Sequence, residues 1–159
     1  MDIPIHSIRE GVVLHALPDD GKEYGARVYI KNVDGSVCMY AHLESFCVKA
    51  GDRVREKETI GMMGSTGTDN KHLHLSWFPA GTKVLTSAYA RDPTPYVIVY
   101  GMPCRAEAIV PYGSPVCHPK IAAQGRGHEG IDFGGHPKRI VQTLDGLQGG
   151  DLYLERIPT

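Results

Sequence analysis

The sequence lacks the marks of a thiolate metal site or a disulfide scaffold. Its four cysteines, Cys38, Cys47, Cys104 and Cys117, are scattered through 159 residues with no Cys-x-x-Cys pair. They are expected mainly as buried thiols, with a Cys104–Cys117 bridge as the alternative. Long hydrophobic runs are also missing. The longest apolar stretch, Tyr96 to Met102, falls far short of the roughly 20 residues a membrane helix needs. The opening Met-Asp-Ile-Pro-Ile-His has no basic start followed by an apolar core, so no secretory signal is read there. Charge of one sign is not in excess: 17 basic and 18 acidic residues give a net charge of -1. That balance argues against a broad nucleic-acid or membrane surface. No stretch of 12 or more residues carries a convincing helical stripe.

What remains is an ordinary globular composition, 42% hydrophobic, of a length suited to one domain. Glycine (19) and proline (11) are spread as punctuation, which predicts short strands between tight turns. Residues Ala26 to Lys31 alternate with period two, Asp34-Gly35 supplies a hairpin turn, and Ser36 to His42 returns. Val48 to Val54 and Thr59 to Gly64 read as short β pieces, followed by alternation through His72 to Trp77. The two prolines of Arg91-Asp-Pro-Thr-Pro-Tyr96 mark a break. Beyond it, strands are expected at Tyr96 to Tyr100, Arg105 to Val110, Ile140 to Leu144 and Asp151 to Glu155. The fold class is therefore all-β, antiparallel, with long loops.

Histidine carries the chemistry. His72-Leu73-His74 on a strand puts two imidazoles on one face. His128-Glu-Gly-Ile-Asp132 sets an imidazole and a carboxylate four residues apart around a glycine, a donor pair suited to Zn²⁺. Tyr40-Ala-His42-Leu43 ends a hairpin strand. Singly, each has a plain structural account: surface histidines, a solvated acidic loop, a strand end. Jointly they supply what a catalytic zinc site requires, namely three protein ligands, an open position and a group that takes a proton from water.

These segments, with Gly51-Asp-Arg-Val54, Ile60-Gly61 and Gly64-Ser-Thr-Gly67, resemble the lysostaphin-type (LytM-like) zinc metalloendopeptidases, which cut the peptide part of bacterial peptidoglycan. The resemblance implies a barrel-sandwich β fold of the duplicated hybrid type. It implies His128, Asp132 and His74 as zinc ligands, with His72 and His42 as the catalytic pair, His72 as general base and His42 steadying the oxyanion or sharing proton transfer. It implies peptidoglycan peptides as partners; the charge balance leaves neither nucleic acid nor membrane expected. With no signal read, the expected setting is a phage lysin or virion-associated protein, or a module detached from a larger secreted chain.

Three departures stand against the pattern. Lys57 occupies a position that is usually glycine, which suggests an altered turn, and Asn70-Lys71 replaces a second glycine. The motif order is also reversed, since His128 and Asp132 follow His74. Residues 1–97 resemble the later part of such a domain and residues 98–159 its opening part. One peptidase-like domain over 1–159 is expected, circularly permuted in a monomer or completed by half-exchange in a homodimer.

The competing readings are a non-catalytic, degenerate peptidase fold that binds the wall or regulates, and a carrier-type β module, for which no hairpin-tip lysine is found. Gly61 to Gly67 lacks the Lys-Ser/Thr ending of a phosphate loop and is expected as a support beneath His72 to His74. Tyr24, Trp77 and Tyr112 are candidate cleft walls or core.

Overall fold

A computed structural model describes residues 3–69, 71–92, 97–99, 102–103, 131–133 and 154–156, with side chains described for the first two spans and Asp132. Among them the only helical element is the 3-10 turn Ser87–Tyr89; the rest is strand, turn or loop. No helix among the described residues is long and apolar enough to cross a membrane.

Eight strands form one antiparallel sheet: β1 (Pro4–His6), β2 (Gly11–Leu17), β3 (Ala26–Asn32), β4 (Val37–Phe46), β5 (Arg53–Val54), β6 (Thr59–Met63), β7 (Leu73–Phe78) and β10 (Ile131–Phe133). The main path runs β1-β6-β4-β3-β2-β5. A separate three-stranded sheet joins β11 (Leu154–Arg156), β8 (Val97–Val99) and β9 (Met102–Pro103). The all-β expectation holds, and so does the hairpin. Its turn is closed by Asn32 N–H donating to the Ser36 carbonyl at 2.7 Å, with Gly35 at φ +89°. The strand Gly11–Leu17 was not singled out by period-two alternation.

β4 is the longest strand and organises the rest. Along one side it pairs with β3; along the other its first half pairs with β7 (Val37↔Phe78 to Ala41↔His74) and its second half with β6 (Leu43↔Met63 to Phe46↔Gly61). His42 stands where the partner changes. It has φ +62°, and its N–H leaves the ladder for the Tyr24 carbonyl at 2.9 Å. The β3 register shifts at the same place, between Ala26 and Val28. This is a bulge of the kind that bends a strand and re-aims a side chain.

Both faces of β4 are covered. Cys38, Tyr40 and Leu43 join Ile5, Val28, Ile30, Ile60, Leu73 and Leu75 in the larger core, while Val37, Met39 and Ala41 pack with Phe78 and Ala90 on the other side. One expectation changes here and one alternative is decided. Cys38 is buried but Cys47, just past the end of β4, is exposed. Trp77 packs against the larger core, on the opposite face of β7 from His74, and is not a wall of the histidine site. Cys104, Cys117, Tyr112, and the strands expected at Arg105 to Val110 and Ile140 to Leu144 lie outside the described residues.

Candidate active site

β7 presents His74, Ser76 and Phe78 on one face because alternate residues point the same way. β10 lies along its free side with Asp132 opposite His74. The Asp132 carboxylate meets both imidazoles of the pair: Oδ1 is 2.9 Å from His74 Nδ1, and Oδ2 is 3.5 Å from His72 Nε2. The same-face expectation for His72 and His74 is thus met by one carboxylate reaching both rings. The His42 ring stacks obliquely at 4.7 Å from that of His72 and edge-on at 5.9 Å from that of His74. Tyr24 lies against His74 at 5.3 Å and His42 at 6.4 Å, so of the two candidate aromatics among the described residues it is the one beside the histidines.

Four of the five expected site residues therefore come together. His128 lies outside the described residues, as do His118 and His136. Among the described residues no three His, Cys, Asp or Glu side chains form a group able to hold a metal. Two donors nevertheless suit one. His74 Nδ1 and Asp132 Oδ1 lie 2.9 Å apart, one imidazole nitrogen and one carboxylate oxygen, which is a borderline donor set. The other ring nitrogen, His74 Nε2, lies 2.8 Å from Ser76 Oγ. A hydroxyl donates or accepts, so Ser76 satisfies Nε2 whichever ring nitrogen carries the hydrogen. The site thus accommodates the exchange of the hydrogen between His74 and Asp132 for a cation, with Ser76 orienting the ring from behind.

His42 is held differently. Its Nδ1 is 2.7 Å from the Thr66 carbonyl. Burial pushes its pKa down to about 4, and the neighbouring His74 and His72 add to the effect. The Thr66 hydrogen bond and the Asp132 charge oppose it. His42 is accordingly neutral near pH 7. The stretch Gly61 to Gly67, expected beneath His72 to His74, does bridge to His72 through Gly64, and its Thr66, not foreseen as a contact of the site, also reaches His42. The remaining histidines in the described part, His6 and His15, lie elsewhere in the sheet. His6 is buried with Nδ1 3.1 Å from Thr59 Oγ1, and His15 packs edge-on against Tyr29.

Beside the cluster a cavity of about 250 Å³ shares Tyr24 and Ser76 with it and is walled by Met39, Phe78 and Leu85, with Lys22 at its lining. It gives the histidine face an adjoining recess of the size of a side chain or short peptide segment.

The described residues thus form an antiparallel β-sheet that carries an imidazole and carboxylate cluster on one face. The description "Peptidase family M23" matches residues 1–86, and the chain belongs to that family. It is 34% identical over 98 residues to the glycyl-glycine endopeptidase ALE-1 of Staphylococcus capitis, covering 59% of this chain and 25% of that protein. It is 38% identical over 58 residues to the peptidoglycan DD-endopeptidase ShyC of Vibrio cholerae, covering 36% and 13%. The chain thus spans a quarter or less of these relatives' length. Its fold matches the catalytic domain of the antimicrobial peptidase lysostaphin from Staphylococcus simulans with a TM-score of 0.54 and 28% identity, covering 60% of this chain and 70% of that one.

Proposed function

We propose that this protein is a zinc-dependent endopeptidase that hydrolyses peptide bonds of bacterial peptidoglycan, in a stem peptide or cross-bridge. The observation that carries the reading is the meeting of His74 Nδ1 with Asp132 Oδ1 at 2.9 Å, flanked by His72 and His42. Family membership and the peptidoglycan endopeptidases among its relatives support it.

His74, Asp132 and His128 would hold the metal. Zinc, when bound, supplies Lewis acidity that polarises a peptide carbonyl and brings the pKa of water toward neutrality. The chain's own groups do the remainder. Asp132 Oδ2 lies 3.5 Å from His72 Nε2, and His72 takes the proton of the attacking water as general base. His42 lies against His72, close enough to share proton transfer. The recess behind Tyr24 and Ser76 receives substrate beside the reacting bond.

The test pairs metal analysis with digestion of purified cell walls. His74→Ala is expected to lose zinc and activity together, whereas His72→Ala keeps zinc and loses activity by roughly 10²-fold or more. An active double variant overturns the assignment.

We also propose that residues 98–159 supply the part of the site that precedes residues 1–97 in the family's motif order. The pairing of β10 with β7 inside one chain supports internal completion of the site.

A further inference from the structure

Thr66 makes three hydrogen bonds to the two strands and the one side chain that define the bend in β4. Its hydroxyl donates to the Leu43 carbonyl at 2.8 Å and accepts from Ala26 N–H at 3.0 Å. Its carbonyl lies 2.7 Å from His42 Nδ1. A carbonyl oxygen only accepts, so this contact requires the hydrogen on Nδ1 and leaves Nε2 with its lone pair exposed to a partner. The carbonyl has little freedom to move. Gly25 (φ +59°) backs onto it so closely that a Cβ there would overlap the Thr66 carbonyl and hydroxyl. The hydroxyl bonds pin it to the Ala26↔Leu43 pair of β3 and β4, next to the position where His42 leaves the ladder.

We propose that Thr66 is the positioning residue of His42: its carbonyl fixes the Nδ1–H tautomer, and its hydroxyl fixes the carbonyl. His42 then enters the reaction as a hydrogen-bond and proton acceptor through Nε2, rather than as a neutral donor to the oxyanion. The kinetic part of this inference rests on the peptidase reading above; the tautomer part does not.

The experiment reads the ring nitrogens of His42 directly. In ¹⁵N-histidine-labelled protein as purified, with signals assigned by their loss in His42→Gln, Nδ1 is expected to show the shift of a protonated nitrogen and Nε2 that of a bare one. Thr66→Val removes both hydroxyl bonds and keeps the side-chain shape; it is expected to mix the two tautomers and lower kcat on cell-wall peptide about tenfold or more, with little change in KM. Thr66→Ser is expected to restore the tautomer and most of the rate. A wild-type ring protonated on Nε2 overturns the proposal outright and needs no variant to fold. So does folded Thr66→Val with the wild-type tautomer, whatever its rate. If the wild-type protein cleaves no peptidoglycan, the peptidase reading fails while the nitrogen shifts still decide the role of Thr66.

Discussion

Cys38 and Cys47 sit nine positions apart in sequence and in opposite surroundings. Cys38 lies inside β4 among core residues, where burial pushes its thiol up to about 11; Cys47 lies exposed, its thiol 3.4 Å from the Thr59 carbonyl. A neutral thiol is the form the fold favours, so the native state holds its proton above pH 9 where the unfolded chain has lost it. Stability is therefore expected to fall as pH rises from 9 through 11. Peptide mapping after brief alkylation at pH 8 should label Cys47 and spare Cys38 until the protein is unfolded; equal labelling would contradict the burial. The sequence could not separate the two. Alternation normally tells an inward from an outward position, but both faces of β4 are covered, so Cys38 and Met39 are buried alike. Thr66 was hidden for a related reason. A threonine in a glycine-rich turn reads as turn chemistry, and nothing local announces that its carbonyl meets a histidine 24 positions earlier.

At the level of elements, the turn between β5 and β6 carries a side chain where the backbone favours glycine: Lys57 has φ +67°, in the left-handed region. The backbone there is fixed from outside: Lys57 N–H donates to the Ser7 carbonyl and Ser7 N–H to the Glu58 carbonyl, each at 2.8 Å. Side chains in this region cost about 1–2 kcal/mol, and glycine gives part of that back as unfolded-state entropy. Lys57→Gly is expected to raise stability by up to about 1 kcal/mol in urea unfolding; a loss would mean that the lysine side chain compensates for its strain. The β3–β4 hairpin was legible because alternation and Asp34-Gly35 act over a few residues. The bend at His42 was not, because it arises where β4 exchanges β7 for β6, and both partners come from distant parts of the chain.

For the whole molecule, the sequence made two statements: an antiparallel β fold, and a site assembled against the usual motif order. The first follows from local patterning and is met by the sheet. The second concerns connectivity, and its local evidence is the Asp132↔His74 pairing across 58 positions. Gel filtration combined with zinc analysis separates an internally completed site from one shared between copies. A monomer with one tightly held zinc per chain is expected. A dimer that loses zinc on dilution into monomers would assign the site to two exchanged halves.

The shared side of β4 also decides where this protein tolerates a change in length. Val37 to His42 is a counted interval: one residue more or less turns the imidazole to the other face of the sheet and moves it off its fixed partner. The connection from β6 to β7 is bracketed by the Gly64↔His72 bridge and tied to the sheet by Thr66. Between Gly67 and His72 it is free of that count. Insertions there leave His42 and His74 in register, so a change of length is expected to be tolerated at this connection and not within β4.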